Sequence, residues 1–114
     1  MKLILVSCLL LCAQLNTHAQ TQLEMNMEAA KKKKKADAAM TAVYKKLMAA
    51  QDEKGKKLLL EAQRAWIKYK EAHCTSVANA YDGGSMQPMV YSGCIAAISR
   101  ARTKELQEML DDMH

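Results

Sequence analysis

The sequence predicts a small all-α protein: three antiparallel helices stapled by one disulfide, following a cleaved signal peptide. In three segments, apolar residues recur at the spacing of an amphipathic helix, and no segment of useful length alternates as a strand would. The first 19 residues have the pattern of an export signal. After that signal the only cysteines are Cys74 and Cys94. An even cysteine count in a short exported chain indicates a disulfide.

The N-terminal segment has the three parts of a secretory signal. Lys2 supplies a positive charge, an apolar run extends from Leu3 to Ala13, and Ala19 ends a small-residue cleavage site. The apolar run is too short to span a membrane. The residues around Cys8 resemble a lipoprotein processing box, but too few residues precede them, so lipid anchoring at Cys8 is not expected. We therefore expect an exported, periplasmic or secreted protein whose residues 1–19 are removed.

Residues 20–36 form a polar extension that contains five consecutive lysines, Lys31 to Lys35. These lysines point all round a helix, so we expect a flexible or helical, solvated segment with no buried face. The chain as a whole carries a formal charge of +5, which favours anionic partners. A dedicated arm that binds anionic polymers is the alternative interpretation of this run.

Residues 37–114 form the predicted helical domain. Its first helix carries one apolar stripe at i, i+3, i+4, i+7 and i+8: Met40, Val43, Tyr44, Leu47 and Met48. Asp52 is a plausible N-cap for the second helix. The apolar face of the second helix is predicted to contain Leu59, Ala62, Trp66, Tyr69, His73 and Val77, with Lys70 and Glu71 on the opposite, solvated face. Trp66 and Tyr69, spaced i and i+3, are expected in the core.

A glycine-containing loop is predicted to separate the second and third helices. Paired glycines such as Gly83 and Gly84 commonly end a helix, and Pro88 suits the first turn of the next helix. In the third helix, the residues of one face recur at helical spacing: Cys94, Ile95, Ile98, Arg102, Leu106, Met109 and Leu110. Cys74 and Cys94 fall at adjacent ends of an antiparallel pair, where a disulfide is geometrically reasonable.

The sequence offers no recognisable catalytic set. His73 and His114 are the only histidines after the signal, too few with two cysteines for a four-ligand zinc site. Thiols of exported proteins are usually oxidised, which argues against a cysteine nucleophile with His73 as its general base. We therefore predict a non-enzymatic binding protein with no metal, no cofactor and no nucleic-acid partner.

Several motifs together resemble the LprI-type lysozyme inhibitor family of small exported bacterial proteins. They are, in order, Tyr44 to Met48, Gln63 to Tyr69, Cys74, Gly83 to Ser85 and Cys94 to Leu106. The resemblance implies an all-helical fold, a bond between the two cysteines and an envelope role that includes lysozyme inhibition. Within it, Tyr44, Trp66, Tyr69 and Arg102 stand out as structural motif residues.

The resemblance makes lysozyme or another envelope protein the first candidate partner. A protruding loop on a rigid scaffold commonly carries recognition, so Gly83, Gly84 and Ser85 are candidate contact residues. Lys70 and Glu71 are further candidates; they stand where the family often has Arg-Asp, and lysine lacks the bidentate geometry of arginine. Anionic cell-wall or lipid polymers bound through the lysine-rich segment are the alternative partners.

Overall fold

The computed structural model describes the backbone of residues 2–113 and the side chains of residues 20–113, and there the chain is helical without strands. Within that range α1 covers Lys2–Ala49, α2 covers Glu53–Ala78 and α3 covers Gln87–Asp112. A single 3-10 turn, Asn79–Tyr81, follows α2. The all-α, three-helix prediction is confirmed. The expectations for the signal peptide and Cys8 lie outside the described side chains.

The three helices run up, down and up, so α1 and α3 are parallel. Near one end, Asn26 of α1 bonds to Ser85 just before α3, and at the other end Gln51 bonds to Met113. These pairs advance in the same direction along both helices, while α2 runs opposite to its neighbours. Within the described residues, none of the helices has a stretch long and apolar enough to cross a bilayer.

The inner face of α1 extends far beyond the predicted domain start. Side chains spaced alternately four and three residues apart are buried or half-buried: Gln22, Asn26, Ala29, Lys33, Ala36, Met40, Val43 and Leu47. Such a 3.5-residue repeat is the seam of a coiled-coil-like pairing. The seam passes through the lysine run, where Lys33 is half-buried and the other four lysines are exposed. The segment therefore does have a packed face, because one lysine in five falls on the seam and its aliphatic stem can pack there.

The hydrophobic core lies where all three helices meet. Met40 and Leu47 of α1 pack with Leu59 of α2 and Leu106 of α3. Partly buried side chains surround this cluster: Val43, Tyr44, Met48, Trp66 and Leu110. This confirms the apolar stripe predicted for α1. Burying a leucine completely, as for Leu47 and Leu106, contributes about 1.5–3 kcal/mol.

The buried face of α2 differs from the predicted one. It consists of Leu59, Gln63, Lys70, Cys74 and Ala78. The prediction placed Tyr69 in the core, yet Tyr69 is 57% exposed and stacks on His73, with ring centroids 5.4 Å apart. The prediction also placed Lys70 in solvent, yet it is 8% exposed. Gln63 and Lys70 lie on the inward face because their polar groups form hydrogen bonds or an ion pair inside the domain.

Two predicted helix boundaries are confirmed. A side-chain oxygen of Asp52 accepts a hydrogen bond from the Gly55 N–H at 2.7 Å, which makes Asp52 the N-cap of α2. Pro88 lies in the first turn of α3, where its missing N–H costs nothing.

Candidate functional site: the glycine loop and its polar support

The loop between α2 and α3 is a tight, exposed turn. Every residue from 79 to 86 is exposed. The Gly84 N–H donates to the carbonyl of Tyr81 at 2.9 Å, and Gly83 has a φ of 74°. Only glycine adopts that left-handed conformation without strain. A Cβ on Gly84 would lie 3.2 Å from the same carbonyl oxygen, so this residue too is tightly placed.

Two connections hold the loop on the helices. The predicted disulfide between Cys74 and Cys94 is present, with the Cα atoms 5.5 Å apart, and it joins α2 to α3 behind the loop. In front, the side-chain amide of Asn26 donates to the carbonyl oxygen of Ser85 at 3.0 Å. The loop is therefore fixed to all three helices, which limits the conformational entropy it would lose on binding a partner.

An open groove of about 610 Å³ lies between the loop and the start of the described part of α1. Its lining includes Leu23, Met25, Ser85 and Pro88. Leu23 is 59% exposed, and Met86, also exposed, follows the loop. Exposed apolar side chains that border polar backbone are typical of protein interaction sites.

A polar network inside the domain connects the three helices. The carboxylate of Asp37 accepts a hydrogen bond from the Ser99 hydroxyl at 2.6 Å. The same carboxylate oxygen lies 3.5 Å from the Lys70 ammonium, and that ammonium sits 4.5 Å from the centre of the Trp66 ring. One buried cation is thus satisfied by a carboxylate and an aromatic face, an arrangement that ties α1 to both other helices.

Arg102 continues this network toward the core. Its Nε donates to the Gln63 side-chain oxygen at 3.1 Å, and its Nη1 lies 3.0 Å from a Glu105 carboxylate oxygen. The Gln63 amide donates to the Met40 sulfur at 2.9 Å. The guanidinium carbon is 6.0 Å from the Trp66 ring centre. Trp66 therefore lies near two cations, and both Trp66 and Arg102 make their contacts with other residues of the domain.

The candidate contact residues do not form one site. Gly83, Gly84 and Ser85 are exposed together at one end of the molecule, whereas Lys70 lies inside and Glu71 lies on the exposed surface of α2. Because the Lys70 ammonium is engaged by Asp37, it has little surface to offer a partner.

Sequence reasoning did not single out Asp37, Gln63 or Ser99 as members of a network. Gln63 and Lys70 do continue the four-and-three spacing from Leu59 through Trp66. That spacing is the available signal, whereas the predicted face continued from Trp66 through Tyr69 and His73 instead.

Among the described residues, no three side chains of His, Cys, Asp or Glu are close enough to hold a metal ion. The loop itself exposes main-chain and hydroxyl hydrogen-bonding groups and a few apolar side chains.

Comparison with known proteins agrees with the motifs. Residues 12–106 match the family model described as lysozyme inhibitor LprI. An uncharacterized protein of Rhizobium meliloti (strain 1021) is 33% identical over 126 aligned residues, which cover 90% of this chain and 91% of that protein. No solved structure matches the chain. The match covers most of the chain, including the disulfide, the glycine loop and the Trp66–Arg102 network, and the protein thus belongs to the LprI lysozyme inhibitor family.

Proposed function

We propose that this protein is an exported, non-enzymatic inhibitor that binds lysozyme through the loop Gly83–Ser85. Family membership is the observation that carries the proposal. The loop is the element best suited to the contact because it is exposed, tightly turned and fixed by the disulfide. A preorganised loop of this kind loses little entropy when it enters a cleft.

The chemistry of the loop suits the cleft of a lysozyme. Lysozymes cleave glycosidic bonds with a pair of carboxyl groups that lie at the bottom of a cleft. The hydroxyl of Ser85 is a hydrogen-bond donor, and the main-chain N–H groups of Gly83 and Ser85 are not used by the hydrogen bonds of the turn. Such donors are suited to binding a carboxylate. Leu23 and Met86 would add apolar contact beside the loop.

The two ends of the molecule differ in the number of carboxylates: the loop carries one, Asp82 beside Gly83, whereas the last part of α3 at the opposite end carries four. The carboxylates Glu105, Glu108, Asp111 and Asp112 are confined to the last part of α3, at the far end from the loop. These acidic groups would repel a catalytic carboxyl pair. They would instead suit a second, peripheral contact with a basic enzyme surface.

Export is part of the same proposal. The signal-like segment before Gln20 would direct the chain out of the cytoplasm, where lysozyme acts and where disulfides persist. The Cys74–Cys94 bond is consistent with that compartment.

A cell-wall lysis assay tests the proposal. The exported, oxidised protein should slow lysis by at least one class of lysozyme at micromolar concentration. Ser85→Glu should weaken inhibition at least tenfold, a change of about 1.4 kcal/mol, because it brings a carboxylate toward the catalytic carboxyl groups. Ala101→Glu is the matched control, since it adds the same charge on the exposed surface of α3 far from the loop.

Two results would contradict the proposal. Failure to inhibit several lysozyme classes at micromolar concentration would remove the activity itself. Inhibition that Ser85→Glu and Ala101→Glu leave equally unchanged would instead show that another surface makes the contact.

A further inference from the structure

A second groove runs along the outer surface between α1 and α3 and adjoins the groove at the loop through Met25. Two adjoining cavities of about 320 Å³ and 310 Å³ form it, and both are lined by Lys32 and Arg100. From Met25 to Ala39, the groove follows α1 for about 20 Å at the helical rise.

One end of the groove contains most of its apolar residues. These are Met25, Ala29, Met89, Gly93 and Ala96, with the carboxylate of Glu28 among them. Gly93 is inside α3, where glycine costs about 0.5–1 kcal/mol relative to alanine. A Cβ on Gly93 would meet no atom within 4 Å, and its backbone is not in the left-handed region. Neither crowding nor backbone geometry requires this glycine, and its effect is to deepen the groove.

The other end of the groove is cationic. Lys32, Lys35 and Arg100 line it, and within residues 20–113 no hydrogen bond or ion pair engages their side chains. The described cations Lys70 and Arg102, in contrast, are both paired. Glu28 is the one carboxylate among the lining residues, so the groove keeps an excess of positive charge. A guanidinium beside ammonium groups is well suited to a phosphate.

We propose that this groove binds an anionic lipid, with its phosphate headgroup at Lys32, Lys35 and Arg100 and an acyl chain along Met25 and Gly93. The cluster of three cations beside a stretch of mainly apolar side chains supports this ligand over an acidic peptide helix, whose charges would be distributed along its length. The exposed apolar walls favour a chain that is excluded from water. This site lies along two helices rather than at the loop, so it does not depend on lysozyme inhibition.

Titration calorimetry with decyl phosphate, kept below its critical micelle concentration, tests the site on the exported, oxidised protein. Saturable binding at one site per protein is expected. Decyltrimethylammonium, which has the opposite charge, and inorganic phosphate, which has no chain, should each bind at least tenfold more weakly. The affinity for decyl phosphate should fall as salt concentration rises, because exposed cations supply the headgroup contacts.

Substitutions at one position separate the groove from general stability. Gly93→Leu should fill the groove and weaken decyl phosphate binding at least tenfold, while its urea midpoint stays equal to or above that of the wild type, since leucine favours helix over glycine. Gly93→Ala, the matched control, should change the affinity less than threefold. Arg100→Gln should weaken the binding of decyl phosphate by removing a contact to the phosphate, without changing the apolar part of the groove.

Four outcomes would overturn the inference. Equal affinity for inorganic phosphate would indicate a simple anion site, and equal affinity for decyltrimethylammonium would indicate non-specific detergent binding. Unchanged binding by a folded Gly93→Leu variant would place the lipid elsewhere. A dimer in light scattering that Gly93→Leu dissociates would show that a second copy of the chain occupies the groove.

Discussion

Asp37 is the residue whose removal should most clearly weaken the connection of α1 to the rest of the domain. Asp37→Ala deletes the acceptor of the Ser99 hydroxyl and the only carboxylate within 4 Å of the Lys70 ammonium among the described residues. A hydrogen bond to a charged group contributes about 1.5–3 kcal/mol. Breaking a fully buried ion pair costs about 3–5 kcal/mol.

The expected cost lies below the sum of these contributions because water can reach the site. The Asp37 side chain is 33% exposed, and the Trp66 ring still faces the Lys70 ammonium after the substitution. We therefore expect the free energy of unfolding to fall by about 2–3 kcal/mol. Urea unfolding of the oxidised protein, followed by its helical circular dichroism, measures this change.

A double-mutant cycle isolates the contribution of the ion pair. Lys70→Met keeps the aliphatic stem but removes the charge, so Asp37→Ala should cost less in that background, by roughly 1 kcal/mol. Asp112→Ala is the control: it removes an exposed carboxylate in the last turn of α3, and no measurable loss is expected. A decrease of less than about 0.5 kcal/mol for Asp37→Ala, in the range of ordinary surface substitutions, would refute this account of the network.

Three further predictions concern the disulfide, the loop and the charge. Replacing both Cys74 and Cys94 with serine should lower the free energy of unfolding by about 3 kcal/mol for a loop of this length, and an unchanged melting temperature would contradict that. Gly83→Ala should destabilise the protein by about 1 kcal/mol, whereas Gly93→Ala should stabilise it by a similar amount; equal effects in urea unfolding would refute the assigned backbone conformations. Association with a basic lysozyme should become faster as salt is raised, because the protein is itself positively charged; stopped-flow rates that fall with salt would show that a local acidic contact dominates.

The general architecture was predictable because it depends on signals that are local in the sequence. Helical spacing of apolar residues gave three helices, Asp52 marked the start of α2, and paired glycines marked the loop. The pairing of Cys74 with Cys94 followed from an even count and from the antiparallel arrangement of α2 and α3. Each of these inferences needs only the properties of one segment or of two adjacent helix ends.

The buried face of α2 was less predictable because its inward residues are satisfied by distant ones. Gln63 is paired with Met40 and Arg102, and Lys70 with Asp37. A polar side chain is expected on the surface unless it can form a hydrogen bond or ion pair inside the protein. Here the residues that provide those contacts are far away in the sequence. Assigning Lys70 to solvent and leaving Gln63 off the apolar face rotated the expected face toward Tyr69, which the structure leaves exposed.

Polar contacts also hold the lysine-rich segment of α1 against α3. Three of the five buried residues of α3 are small: Ser92, Ala96 and Ser99. Small residues allow close approach, but their flat surface gives little preference for one register over the next. A polar group at a seam position can fix the register of paired helices. The Asp37–Ser99 hydrogen bond supplies such a group at the end of the small-residue surface, and Asn26 supplies another at the loop. These two contacts lie on either side of Lys32 and Lys35, so both lysines are held beside Arg100 rather than distributed along a free arm.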